Sequence, residues 1–156
     1  MRYKNQTKEK SNGVVYTPAA MASYIAKEIV SQYPMEGVEQ VVKILDPALG
    51  EAELALAVIS TIKATYPSKK ISLYGYDIDS EVVKKSKKRI REAFPDVEIN
   101  FLVKDFLSDE TPPTNIDIVI ANPPYIRTQI LGEDTSTRLS EKFGLKGKVD
   151  IYYAFF

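Results

Sequence analysis

The sequence predicts an α/β fold with a mostly parallel sheet and helices on both faces. Three observations predict it. Apolar, β-branched runs alternate with segments of helical period along the chain. The spacing leaves room for a helical crossover between successive strands, as parallel pairing requires. Each of the four runs also ends at an Asp or Asn, so the polar positions gather where parallel strands finish.

The elements follow in order. Residues 1 to 13 are polar, contain Ser11-Asn12-Gly13, and read as a flexible N-terminal arm. Thr17 is suited to cap a helix with Pro18 at its first position, and Met21, Ile25 and Ile29 recur every four residues with Tyr24 alongside. That helix ends near Tyr33-Pro34. Val41 to Leu45 is a strand stopped by Asp46-Pro47, after which Leu54, Val58 and Ile62 form a helical stripe up to Pro67. Ile71 to Tyr76 is a second strand ending at Asp77-Ile78-Asp79, and Val83, Ile90 and Phe94 mark the inner face of a Lys-rich helix. Val97, Ile99, Phe101 and Val103 alternate with Glu98, Asn100, Leu102 and Lys104, the period of a third strand closed by Asp105-Phe106. Ile116 to Ala121 is an apolar fourth strand halted by Pro123-Pro124, which cannot continue a central ladder. Residues 127 to 148 are polar, contain glycines and show no sustained period, so a poorly ordered loop is expected there.

Composition narrows the chemistry. The 156 residues are 44% hydrophobic and 27% charged, the balance of a globular domain able to build one core without disulfides. Cysteine and histidine are both absent. This removes thiolate nucleophiles, Ser-His-Asp triads and the usual zinc ligand sets, so no metal site is expected. The lack of cysteine fits a reducing compartment, and no apolar run approaches membrane-spanning length, so a cytoplasmic location is expected. The 21 basic and 21 acidic residues cancel, which assigns any nucleic-acid contact to a local patch or another domain. The run Lys84-Lys85, Lys87-Lys88-Arg89 and Arg91 reads as a solvated helix face and is given no function. The final residues, Ile151 to Phe156, are apolar and aromatic and would be costly as an exposed tail, as expected of a piece of a longer protein.

The four strand ends are Asp46-Pro47-Ala48-Leu49-Gly50, Asp77-Ile78-Asp79, Asp105-Phe106 and Asn122-Pro123-Pro124-Tyr125. With these motifs the chain resembles, over residues 13 to 156, the adenine-N6 DNA methyltransferases of restriction-modification systems whose cofactor motifs precede the catalytic one. The resemblance implies a Rossmann-like fold that binds S-adenosylmethionine, cut after the fourth or fifth strand region. It makes residues 14–156 a partial catalytic domain without its target-recognition region, so DNA would be held by a region outside this chain. The fragment alone would then show little or no DNA methylation.

Residue by residue, the resemblance implies that Tyr16-Thr17-Pro18 forms an N-terminal cofactor motif and that Asp46, Pro47, Ala48 and Gly50 form the first cofactor loop. Such a loop brings backbone N–H groups to the cofactor's carboxylate. Asp77 would accept both ribose hydroxyls, Asp105 the adenine amino group, and Phe106 would pack on the adenine ring. Asp79 is read as the N-cap of the next helix. The loop departs from the family pattern at two positions: Ala52 stands where a second glycine is usual, and Glu51 where a small neutral residue is common. Ala52 adds a Cβ where close approach is wanted, and Glu51 sets a negative charge near the cofactor carboxylate unless it turns outward.

The catalytic tetrapeptide has a physical logic of its own. An exocyclic aromatic amine is a poor nucleophile because its lone pair is delocalised into the ring. Two acceptors on its N–H groups localise that pair, and the Asn122 side-chain carbonyl with the Pro123 backbone carbonyl can act as those acceptors. Pro123 and Pro124 fix φ and push Asn122 into an extended conformation. This is positional and electrostatic catalysis, and it needs neither metal nor histidine. Tyr125 offers a face for a flipped-out base. The same tetrapeptide also serves enzymes that methylate glutamine amides in proteins or guanine amines in RNA, and an inactive cofactor-fold binding module is a further alternative. Tyr16-Thr17-Pro18 and Asp46-Pro47-Ala48 favour the DNA adenine enzymes.

Overall fold

Two β-branched or apolar runs form the centre of the sheet: β1, Val41–Asp46, and β2, Lys70–Asp77. The computed structural model describes residues 17–33, 41–108 and 111–123, together with 141, 144 and 155. Contacts divide the chain into two units, 16–122 and 1–15 with 123–156, and the elements below all belong to the first. The expectations for residues 1–13 and for most of 127–148 lie outside the described residues.

Helix α1 is Ala19–Gln32, α2 is Glu53–Thr65 and α3 is Ser80–Ala93. Strand β3 is Glu98–Val103, a single 3-10 turn follows at Phe106–Ser108, and β4 is Ile118–Val119. Among the described residues the strands form one parallel sheet in the order β3-β2-β1-β4. The chain thus moves outward from β1 to β3 and then returns to the other side of β1. This reversal creates a switch point between β1 and β4, with the crevice at their carboxyl ends.

The core explains why the central strands lack alternation. Ile71, Ser72 and Leu73 are consecutive and all buried, so both faces of β2 are covered. Ser72 is tolerated there because its Oγ accepts from Asn100 Nδ2 of β3 at 3.1 Å. Helix α2 buries Leu54, Ala55, Val58, Ile59 and Ile62, the expected stripe with two neighbours added.

Three expectations are corrected. In α1 the buried positions are Ala22, Ala26 and Val30, whereas Met21 and Tyr24 are exposed. The inner stripe is thus one residue later than Met21-Ile25-Ile29, with Ile25 and Ile29 at its border. Small alanines let α1 approach α2 closely, and that contact decides the helix's rotation. Thr17 does not cap α1: the N-cap position is Pro18, with no side-chain cap bond. The fourth strand is two residues long rather than six, with Val119 exposed and Ile118 and Ile120 buried.

What β4 lacks in length it recovers in pinning. Asp117 N–H donates to the Lys43 carbonyl at 3.0 Å, and Ile120 N–H to the Leu45 carbonyl at 2.9 Å. Asp117 Oδ2 accepts Lys43 N–H at 2.8 Å, and Oδ1 accepts from the Tyr33 hydroxyl at 3.3 Å. One aspartate thereby ties β4 to β1 and to the end of α1, and sets where the chain emerges at Asn122.

Candidate active site

The carboxyl ends of β1 and β2 are joined by one network of backbone bonds to carboxylates. Asp46 is buried, and its Oδ1 accepts the Ala48 N–H at 3.2 Å. Burial raises its carboxyl pKa to about 7; the Ala48 N–H opposes the shift and the Asp77 charge adds to it. Leu49 N–H donates to the Tyr76 carbonyl at 2.9 Å, and Gly50 N–H donates to Asp77 Oδ2 at 3.0 Å. Asp77 Oδ1 accepts the Asp79 N–H at 2.9 Å. Asp79 in turn accepts the Glu81 and Val82 N–H groups at 2.8 and 3.3 Å, so it is the N-cap of α3, as its position suggests.

The loop after β1 needs left-handed backbone twice. Gly50 has φ +50 and Ala52 has φ 60. Glycine would adopt this geometry freely at position 52, and Ala52 adopts it at a cost of roughly 1–2 kcal/mol. Its Cβ is fully buried within the hydrophobic core, while Glu51 is exposed.

Asp105 is exposed, with Oδ1 accepting the Leu107 N–H at 3.0 Å. Phe106 is half-buried and meets Tyr76 edge-on, with ring centroids 5.1 Å apart. Asn122 is half-buried just beyond β4, and its Nδ2 donates to Thr17 Oγ1 at 3.0 Å. Thr17 and Pro18 lie at the start of α1, and Pro47 and Pro123 are buried. Tyr16, Pro124 and Tyr125 fall outside the described residues. The fold therefore brings Asp46, Gly50, Asp77, Asp105 and Asn122 to one edge of the sheet, with Thr17 against Asn122.

Two residues that sequence reasoning passed over also meet this loop. Ser86 Oγ donates to the Gly50 carbonyl at 2.6 Å. Arg89, read as part of a solvated face, donates to the Glu51 carbonyl and to Glu53 Oε2, the latter at 2.8 Å. A signal for Ser86 was present: it sits on the Val83–Ile90 stripe, where a polar side chain must find a partner. Nothing in the spacing singles Arg89 out from its lysine neighbours.

A family model described as N-6 DNA Methylase matches residues 1–155. The chain belongs to the N-6 DNA methylase family. It is 36% identical over 165 residues to the Type II methyltransferase M.BanIII of Aneurinibacillus aneurinilyticus, an alignment covering 95% of this chain and 28% of that protein. It is 30% identical over 124 residues to the Type II methyltransferase M.VspI of Vibrio sp. (strain 343), covering 79% of this chain and 26% of the relative. The chain thus spans little more than a quarter of the length of these relatives.

Solved structures agree on the fold. A putative class I S-adenosylmethionine-dependent methyltransferase from Listeria monocytogenes superposes with TM-score 0.66 at 21% identity, covering 89% of this chain and 40% of that one. The methyltransferase subunit of a type I restriction-modification system from Streptococcus thermophilus gives 0.62 at 20% identity, covering 90% and 30%. The Rossmann-like methyltransferase fold expected from the strand ends is the one observed. Family and fold together imply S-adenosylmethionine as cofactor.

The residues present suit that molecule. Among the described residues a Cβ built on Gly50 would meet only the Ala48 carbonyl oxygen, at 3.9 Å, so they leave room for a ligand against the backbone there. Each Asp77 oxygen accepts one backbone N–H and retains a second lone pair, as two ribose hydroxyls require. Among the described residues no helix is long and apolar enough to cross a membrane.

Proposed function

We propose that the protein containing this chain transfers a methyl group from S-adenosylmethionine to the N6 amine of adenine in DNA, within a restriction-modification or related modification system. The observation that carries this reading is that β4 pairs parallel with β1, so Asn122, just beyond β4, lies at the same carboxyl edge of the sheet as the β1 loop and Asp77. The two Type II relatives and the family match support DNA as the substrate. In this reading residues 14–156 are part of the catalytic domain, DNA is engaged by a region outside this chain, and the protein works in the cytoplasm.

The cofactor, when bound, supplies an electrophilic methyl group on a sulfonium. Gly50 and its neighbours hold the amino-acid end of that molecule, Asp77 the ribose, and Asp105 with Phe106 the adenine. Asn122 then acts on the target. Its Nδ2 donates to Thr17 Oγ1, and in this reading its Oδ1 accepts one N–H of the target amine while the Pro123 carbonyl accepts the second. Two acceptors on one amino group localise its lone pair along the line of attack. Tyr125 offers a stacking face for an extruded base.

The test offers the complete protein labelled S-adenosylmethionine with duplex DNA, tRNA or rRNA, and a glutamine-bearing peptide. Label is expected in DNA adenine and lost in Asn122→Ala. Label moving only to peptide or RNA, with DNA unmodified, overturns the proposal.

A further inference from the structure

The β1 loop is held from below by α3 at two successive carbonyls. Ser86 is fully buried on the inner stripe of the helix, and its hydroxyl reaches the Gly50 carbonyl at 2.6 Å. One turn later the Arg89 guanidinium grips the Glu51 carbonyl with one nitrogen and Glu53 Oε2 with the other, the latter at 2.8 Å. The fork geometry of arginine suits this, since one planar group can reach a carbonyl and a carboxylate at once.

Peptide planarity turns these contacts into orientation. In a trans peptide the N–H points opposite to the C=O. Holding the Gly50 carbonyl toward α3 therefore directs the Glu51 N–H away from α3. The Gly50 N–H is engaged by Asp77 and the Ala52 N–H by the Leu49 carbonyl. The Glu51 N–H is thus the donor within this turn that neither Asp77 nor Leu49 engages.

We propose that Ser86 and Arg89 are positioning residues for the cofactor: by fixing the Gly50 and Glu51 carbonyls, they aim the Glu51 N–H at the carboxylate of its methionine moiety. This rests on the cofactor reading above. It assigns the one arginine of the helix's basic run that reaches the loop a task distinct from solvation.

Calorimetry of the complete protein with S-adenosylhomocysteine and with 5′-methylthioadenosine separates the possibilities, because the second ligand lacks the amino-acid carboxylate. Ser86→Ala and the more exposed Arg89→Gln should each weaken S-adenosylhomocysteine about tenfold, the scale of one lost charge-assisted contact, and leave methylthioadenosine within about twofold. Equal weakening of both ligands would mean a merely structural role and overturns the inference, as does no change in either. If the unaltered complete protein binds neither ligand at millimolar concentration, the cofactor reading itself falls, and the inference with it. Arg89→Gln, on a half-exposed side chain, keeps the test informative should Ser86→Ala unfold the chain.

Discussion

Asn122 Nδ2 donates to Thr17 Oγ1 at 3.0 Å, joining residues 105 positions apart in the chain. In this orientation of the amide Thr17 is the acceptor for Nδ2, and the reaction proposed above uses Oδ1 as the acceptor for the target amine. Thr17→Val keeps the shape and removes the acceptor. The complete protein carrying it should lose about tenfold or more in kcat for DNA methylation, while cofactor affinity changes less than about threefold. Thr17→Ser should retain most activity. A loss confined to cofactor binding would instead place Thr17 on the cofactor.

Asp46 makes stability depend on pH in an uncommon direction for a carboxylate. Its folded-state pKa, about 7, lies above the unfolded value of about 4, so between those two pH values the folded state binds more protons than the unfolded one. Stability from this group is full below pH ~4 and declines as pH rises toward 7, by an amount on the order of a few kcal/mol. Asp46→Asn removes the titrating group and should flatten the fall of Tm between pH 5 and 7. An unchanged slope in the variant would show that another group is responsible.

Ala52→Gly tests what the departure from the family pattern means. Glycine relieves the left-handed strain but removes a fully buried methyl worth about 1 kcal/mol and frees the unfolded chain. Stability should move by no more than about 1 kcal/mol in urea unfolding. Because the Ala52 Cβ lies in the core, affinity for S-adenosylhomocysteine should change less than about threefold. A gain of tenfold or more would show that this Cβ obstructs the cofactor.

Gly75 is a packing requirement rather than a conformational one. A Cβ at this position would come within 2.8 Å of the Phe101 ring and 3.1 Å of Leu49 Cδ1. Gly75→Ala should destabilise the chain by roughly 1–3 kcal/mol through overpacking. Phe101→Leu in the same chain should recover part of that loss, measured by urea unfolding, if the ring is what the methyl strikes.

The chain order of elements, the parallel sheet and the gathering of polar residues at strand ends were legible from local pattern. Hydrophobic period and turn chemistry are properties of neighbouring residues, and Asp46, Asp77, Asp105 and Asn122 each follow directly after a readable strand. Asp79 was legible as a cap for the same reason. The buried face of α1 was not, because Ile25 and Ile29 outweigh Ala22 and Ala26 in any hydrophobic count, yet the alanines allow the close approach to α2. The length of β4 was not either: an apolar run shows that residues can be buried, not that a second strand lies alongside to extend the ladder.

What the sequence determined by itself, then, was which residues stand at the edge where parallel strands end. Which of them touch was decided only in three dimensions. Thr17 looked like a helix cap and meets Asn122 instead; Arg89 looked like solvated charge and holds the loop after β1. The physical reason is common to both: a side-chain hydrogen bond between distant segments depends on the docking of whole elements, and neither a hydroxyl nor a guanidinium carries in its local sequence any record of the partner it will reach.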